Sequence, residues 1–202
     1  MGLLHTLSLL VEETTPTFLD FQKGTGNVAG QELFDHIRKH EGDVYGNHIP
    51  YVYDDMRKWK EGTPIRYTGG TIYGTLTIGF GTTQESIIQE YRDNNKEMTL
   101  QTAKALTVPD INEAARCIKS WQSRATTGDT NNRLLTLGMY RAMIDIAYNI
   151  GCNAFIHSPT LIVDIEQGNY KKASNTIING DWGHNERRIA TSTLFCSSGG
   201  CA

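Results

Sequence analysis

The sequence has few cysteines, and this scarcity excludes two classes of protein. Four cysteines among 202 residues are too few and too scattered for a disulfide scaffold, and their spacing does not match a zinc site. We therefore expect most of them to be reduced. Cys196 and Cys201 are the one close pair, and an oxidising compartment would favour a bond between them.

The sequence also lacks an excess of charge and a long apolar run. Its 19 basic and 22 acidic residues give a net charge of −3 without long charged runs, so nothing indicates binding to nucleic acid or insertion into an anionic membrane. The apolar stretch LLHTLSLLV is too short to span a bilayer and lacks the flanks of a secretory signal. We expect synthesis in a cytoplasm without Sec-type export and a small or neutral polymeric substrate.

What is present indicates an α+β fold. Residues 1–30 are mixed in character and are interpreted as an N-terminal extension, either a loose terminus or a docking segment. Residues 31–83 combine a helix with β-type patterning, whereas residues 84–195 are helical throughout. We predict a small α+β lobe followed by a larger all-helical lobe, with a C-terminal tail at 196–202.

The segment from Gln31 to His40 has the periodicity of an amphipathic helix. Leu33 and Ile37 lie on its apolar face, and Gly42 suits a helix end in a left-handed turn. Glu41 follows Ile37 by four residues and therefore shares the inward face. Desolvation and the negative end of the helix dipole both disfavour an ionised carboxyl group at this position.

A carboxyl group that retains its proton is what glycoside hydrolysis requires as general acid. A second carboxylate, kept ionised, activates water or stabilises the developing cation. Asp54 and Asp55 follow Glu41 after a short loop and are the candidates for this second group. The alternative interpretation is that the pair belongs to a solvated surface loop.

β-branched and aromatic residues alternate around TGGT in residues 64–81, PIRYTGGTIYGTLTIGFG, which predicts a hairpin. In its second half Leu76, Ile78 and Phe80 point one way while Thr77 points the other. If the apolar set faces a core, Thr77 faces outward or into a cleft. Trp59, Tyr67 and Tyr73 in the same region are candidates for stacking on sugars or for ordinary core packing.

The remaining sequence predicts helices. Thr99 is a plausible cap for the helix that follows it, and Pro109 with Asp110 is expected to open the next one. That segment carries an apolar stripe made of Ile111, Ala114, Ala115, Ile118 and Trp121. Residues 134–151 predict a buried helix, followed by two or three shorter ones.

One narrow polar stripe crosses the helix predicted at 134–151. Arg141, Asp145 and Asn149 recur at intervals of four and therefore line one side of an otherwise apolar rod.

Several of these stretches together resemble the bacteriophage-type lysozymes, glycoside hydrolase family 24. The signature stretches are HEG, then Y-D-D at Tyr53-Asp54-Asp55, then TIGFG at residues 77–81. AMIDIAYNIG at 142–151 and ERRIATSTLF at 186–195 match later segments of the family in the same order. The resemblance covers residues 31–195 and implies a lysozyme-like fold with an active-site cleft between the lobes.

The resemblance implies a role for particular residues. It makes Glu41 the general acid, Asp55 the catalytic aspartate with Asp54 as the alternative, and Thr77 the catalytic threonine. Asn149 matches a substrate-contacting amide. Arg187 matches an arginine that pairs with the catalytic glutamate, with Arg188 as the adjacent possibility.

This chain departs from the family pattern in three places. The loop from Glu41 to the aspartates is longer than usual, so counting does not separate Asp54 from Asp55. The connection between Asp55 and Thr77 is much longer than the family's. Thr82 stands where the family commonly has histidine.

The resemblance implies a peptidoglycan hydrolase that cleaves the β-1,4 bond between N-acetylmuramic acid and N-acetylglucosamine, with no metal or cofactor. A lytic transglycosylase and a non-catalytic peptidoglycan-binding component of a phage tail are the alternatives. The expected partner is bacterial peptidoglycan, with phage tail or baseplate proteins as further candidates. The expected site of action is the periplasm or cell wall, reached by release as an endolysin or on the virion.

Overall fold

The computed structural model describes residues 28–42, 47–57, 60, 62–125, 135–199 and 201. Most of the N-terminal extension and Trp59 lie outside these residues. The chain divides into two compact units, one formed by residues 34–110 and the other by residues 1–33 with 111–202. The described part is mostly helical with one small two-stranded sheet, so the predicted lysozyme-like α+β class is confirmed.

The elements follow one another in a simple order. The helices are α1 Val28–Glu41, α2 Glu85–Asp93, α3 Leu100–Ala125, α4 Leu137–Ile150, α5 Cys152–Ile156, α6 Pro159–Glu166, α7 Tyr170–Asn179 and α8 Asn185–Cys196. The strands are β1 Ile49–Asp54 and β2 Leu76–Gly79, and a short 3-10 turn at Ser197–Gly199 follows α8. Among the described residues, every helix is too short or too polar to span a bilayer.

The antiparallel sheet pairs β1 with β2, with Tyr53 opposite Thr77 and Asp54 opposite Leu76. The hairpin predicted within 64–81 is therefore wrong in its first strand. That strand lies upstream, in the stretch that the sequence suggested was a loop. Gly69 and Gly70 do turn the chain with positive φ, but the described residues before them form only isolated bridges, Arg66 with Tyr53 and Lys60 with Thr63.

The alternation predicted for β2 places Ile78 and Phe80 in the core of the 34–110 unit, whereas Leu76 is only partly buried. Phe34 of α1 meets Phe80 edge to face, with ring centroids 5.9 Å apart. These contacts fix the C-terminal end of α1 beside the β2 turn, because the aromatic edge-to-face arrangement is a directional contact.

Thr99 caps α3 as predicted, since its side-chain oxygen accepts a hydrogen bond from the Thr102 amide at 3.1 Å. The helix expected to begin at Pro109 does not begin there, because α3 continues through that proline. A proline removes one helical hydrogen bond, and burial of Thr107 and Ile111 on either side favours keeping the helix intact.

The unit that contains residues 111–202 has a helical core. The predicted stripe from Ile111 to Trp121 is buried along its whole length, and so is most of α4. Helix α4 packs against α8, and α8 packs against α7. Trp121 meets Phe155 edge to face at 6.3 Å between ring centroids.

All four cysteines form disulfides, Cys117 with Cys152 and Cys196 with Cys201. The expectation that most are reduced is therefore wrong. Cys117 and Cys152 are 35 residues apart and meet only because the fold brings α3 and α5 together. The second bond holds the tail to the end of α8, so the described part of the tail is tied down.

Candidate active site

Glu41 is the last residue of α1, at the C-terminal end as predicted, and is half-buried. A side-chain carbon on Gly81 would lie 3.2 Å from the Glu41 Oε2 atom, so the carboxyl group lies against the TIGFG backbone. Gly42 does not have the predicted positive φ. Its lack of a side chain matters for another reason, since a Cβ there would lie 2.1 Å from the carbonyl oxygen of Asn47.

Asp54 is almost completely buried, with 1% of its surface exposed. Its two carboxylate oxygens accept backbone N–H bonds from Tyr73 at 2.6 Å, Gly74 at 2.9 Å and Met56 at 3.2 Å. The Tyr73 bond above all lowers the pKa of the Asp54 carboxyl group, and this outweighs the opposing effect of burial. Asp54 is thus bound to the connection between the two strands.

Asp55 has the opposite surroundings, because its side chain is exposed. One carboxylate oxygen accepts a bond from the Thr75 amide at 2.7 Å, and the Asp55 amide donates to the Thr75 carbonyl at 3.1 Å. The other oxygen has no contact among those described that would compete with water. Of the two aspartates, Asp55 is therefore the one available to a substrate or to water.

Thr77 is buried in the sheet, with 5% of its surface exposed, so of the two predicted orientations the outward one does not occur. Its hydroxyl group donates to the Thr75 carbonyl at 3.2 Å. With its proton used in this bond, the Thr77 oxygen can act only as an acceptor towards a further group.

Tyr53 connects these groups, because it pairs with Thr77 across the sheet and therefore shares its face. Burial, followed by the negative charges of Glu41 and Asp55, raises the pKa of the Tyr53 phenol to about 12. Both carboxyl groups thus lie within electrostatic reach of one buried hydroxyl. The 34–110 unit brings together Glu41, Asp55 and Thr77, three of the residues predicted from the sequence.

The other predicted residues belong to the second unit. Asn149 is exposed near the end of α4, and Gly183 lies close to it, since a Cβ there would be 3.7 Å from the Asn149 Oδ1 atom. Arg187 is 2% exposed and donates to the Asp145 carboxylate at 2.6 Å, to which Thr191 also donates at 2.6 Å. The polar stripe predicted on α4 is thus partly a buried ion-pair network.

Arg188, the alternative to Arg187, is bonded to the protein backbone. Its guanidinium group donates to the backbone carbonyls of Ile178, Trp182 and Gly183 at 3.0–3.2 Å. It therefore holds the segment that follows α7.

A model of the phage lysozyme family matches residues 60–192, about two-thirds of the chain. The chain belongs to the phage lysozyme family. Membership supports a glycosidase-type hydrolase that acts on peptidoglycan in the bacterial cell wall. No curated protein matches the chain.

The match to the phage lysozyme family includes Thr77, Asn149 and Arg187, whereas Glu41 and both aspartates precede it. The roles of all these residues remain predictions. For a phage lysozyme, a metal-free site is chemically sufficient, since acid, base and water perform glycoside hydrolysis. Among the described residues, no group of three or more His, Cys, Asp or Glu side chains is placed to hold a metal ion.

Sequence reasoning missed two features of this phage lysozyme site. Tyr53 was noted only as part of the Y-D-D motif, and its place opposite Thr77 depends on a strand pairing that the sequence did not reveal. The bonds from the Tyr73 and Gly74 amides to Asp54 involve backbone groups twenty residues away, for which the sequence carries no signal.

Proposed function

We propose that the protein is an N-acetylmuramidase that hydrolyses the β-1,4 bond between N-acetylmuramic acid and N-acetylglucosamine in peptidoglycan. The observation that supports this most is that Glu41 and Asp55 both lie near enough to the Tyr53 phenol for their charges to raise its pKa. One carboxyl group of the pair is half-buried and the other is exposed, and glycoside hydrolysis uses two carboxyl groups as acid and base.

Glu41 acts as the general acid in this proposal. It protonates the glycosidic oxygen as the bond to the anomeric carbon breaks. The Gly81 backbone limits where its carboxyl group can move. Loss of the Glu41 proton generates the carboxylate, and the leaving sugar departs with a free hydroxyl group.

Asp55 acts as the general base. Its exposed carboxylate takes a proton from water, which attacks the anomeric carbon from the face opposite the leaving group and inverts it. The Thr77 oxygen accepts a hydrogen bond from that water, since its own proton is held by Thr75. Inverting hydrolysis requires room for water between the carboxyl groups, of order 6.5–9.5 Å.

Asn149 is assigned to substrate binding, and Arg187 to positioning. The exposed amide of Asn149 suits hydrogen bonds to the acetamido groups of the glycan, because an amide both donates and accepts. Burial and the Asp145 pair give Arg187 a positioning role, in which it fixes α8 against α4.

Digestion of purified peptidoglycan followed by mass spectrometry tests this function. We expect reducing N-acetylmuramic acid ends from the wild type and none from Glu41→Gln. Anhydro-muramyl ends would indicate a lytic transglycosylase instead. Activity of Glu41→Gln equal to the wild type would leave Glu41 without a catalytic role, and a wild type that binds but releases no products would indicate a non-catalytic wall-binding component.

We infer that the protein acts in the periplasm or cell wall, because both of its cysteine pairs are bonded and disulfides persist in oxidising compartments. A released endolysin and a virion-borne lysozyme both act there. Immunodetection in purified phage particles distinguishes them: retention with the particles indicates a tail or baseplate partner, and absence indicates release at lysis.

A further inference from the structure

Several bonds anchor the described part of the connection between the two strands, above all residues 66–74. The buried Asp54 carboxylate holds its end through the Tyr73 and Gly74 amides. Nearer its start, the Tyr67 amide donates to the Val52 carbonyl of β1 at 2.7 Å, and Arg66 pairs with Glu97 at 2.6 Å. These anchors fix the positions of the side chains that the connection carries.

Exposed apolar side chains are concentrated in this connection. The described residues contain seven large exposed hydrophobic side chains, and four of them lie between residues 56 and 73. The most exposed are Met56 at 74% and Tyr73 at 66%, followed by Ile72 and Ile65. Single exposed apolar residues are ordinary, but several on one anchored segment indicate a binding surface.

Met56 lies next to Asp55, and Tyr73 precedes the glycine against which both of them lie. A side-chain carbon on Gly74 would come within 2.1 Å of the Asp55 Oδ1 atom and 2.4 Å of Met56 Cγ, so the Asp55 carboxylate and the Met56 side chain both lie against Gly74. Tyr73 immediately precedes Gly74 and donates its amide to Asp54. Met56 therefore adjoins the candidate active site, and Tyr73 lies on the backbone segment that Asp54 holds beside it.

We propose that Met56 and Tyr73 form a sugar-binding subsite for the glycan strand of peptidoglycan, beside the bond that is cleaved. The apolar face of a hexosamine ring stacks on the Tyr73 ring, and the methyl group of an acetamido substituent contacts the flexible Met56 side chain. Asp54 positions this subsite by holding the Tyr73 and Gly74 backbone. The assignment rests on the proposed function, since it takes the glycan as the ligand.

Binding to purified peptidoglycan sacculi tests the subsite without hydrolysis when all variants carry Glu41→Gln. We expect Tyr73→Ala to weaken binding about tenfold, the equivalent of one well-placed aromatic contact. Met56→Ala weakens it in the same direction by less. Tyr73→Phe keeps the ring and retains binding, and Ile189→Ala, an exposed apolar residue on α8, is the matched control.

Three results would overturn the subsite: Tyr73→Ala binding as tightly as its parent, Tyr73→Phe weakening binding as much as Tyr73→Ala, or Ile189→Ala weakening it equally. In the otherwise wild-type enzyme, Tyr73→Ala should raise KM with kcat unchanged, because the contact is present before and during bond cleavage. Circular dichroism shows that each variant is folded. A wild type that releases no products from peptidoglycan would refute the proposed function instead, and binding by the Tyr73 variants would still decide the subsite.

Discussion

At the scale of single residues, Asp54 and Asp55 show how neighbouring positions at a strand end acquire different chemistry. Asp54 is the last residue of β1 and is buried among backbone donors, whereas Asp55 follows the strand and is exposed. Counting along the sequence could not separate them. The number of hydrogen bonds to each carboxylate does so, because a carboxylate with both oxygens bound to backbone amides is not free to accept a proton from water.

The two aspartates should therefore respond differently to the same substitution. We expect Asp55→Asn to reduce kcat about 10²–10⁴-fold, the usual effect of losing a general base, with little change in stability. Asp54→Asn should lower the free energy of unfolding, because an amide does not replace a carboxylate that accepts three N–H bonds. Activity assays and urea unfolding measure both effects, and a stable but inactive Asp54→Asn would reverse the assignment.

The stability difference between the wild type and Asp54→Asn should also depend on pH. The folded state lowers the pKa of Asp54, so its stabilising effect is present above the ordinary aspartate range, near 3.8, and is lost as pH falls through the lower folded value. Urea unfolding at neutral and acidic pH checks this. A difference that stays constant down to strongly acid pH would contradict it.

The Tyr53 phenol should make stability depend on pH in the alkaline range. Its folded pKa of about 12 exceeds the ordinary 10.0. The contribution of Tyr53 to the free energy of unfolding is therefore fully present below pH 10 and is lost as pH rises towards 12, by about 1.4 kcal/mol per pH unit. Tyr53→Phe should lack this part of the alkaline loss. Tyrosinate absorbance should also show a lower pKa for Tyr53 in Glu41→Gln, since one nearby negative charge is removed. An unchanged value would place Glu41 farther from Tyr53.

At the scale of elements, the sequence predicted helices better than strands. Helix α1 and the stripe of α3 follow from apolar spacing within one segment, and Thr99 follows from capping chemistry. Strand β1 was missed because its partner lies beyond a long insertion, and the turn residues Gly69 and Gly70 suggested a nearer hairpin. Register between distant strands depends on tertiary contacts, which no local pattern contains.

The turn that follows β2 lies beside the candidate general acid, Glu41. Gly81 has φ 95° and approaches Glu41, whereas Gly199 has φ 76° with no neighbouring atom within 4 Å of an added Cβ. Alanine at either position should lower stability by about 1–2 kcal/mol through backbone strain. Only Gly81→Ala should also reduce activity, by about tenfold or more, because it displaces the Glu41 carboxyl group.

Gly199→Ala is the matched control for strain, and urea unfolding with hydrolysis rates compares the two variants. Equal activity in both would mean that Glu41 tolerates the added methyl group. The acid would then not depend on the position of the TIGFG backbone.

At the scale of the whole molecule, both disulfides lie within residues 111–202, and residues 34–110 contain no cysteine. The sequence could not predict the Cys117–Cys152 bond, because spacing does not reveal which distant residues a helical core brings together. Because of this bond, the stability of the helical unit depends on the redox state of its surroundings. The unit that carries Glu41 and Asp55 has no such bond.

The two bonds should contribute unequally to stability. A bond that closes a 35-residue loop restricts the unfolded chain more than one that closes a five-residue loop, and chain entropy gives about 4 and about 2 kcal/mol respectively. Replacing Cys117 and Cys152 together by serine should therefore lower the free energy of unfolding more than replacing Cys196 and Cys201. Urea unfolding of both double variants measures this, with dithiothreitol-treated wild type showing the sum. If the shorter loop had the larger effect, the second bond would stabilise mainly through native contacts of the tail, such as that of Cys201 with the Tyr170 carbonyl.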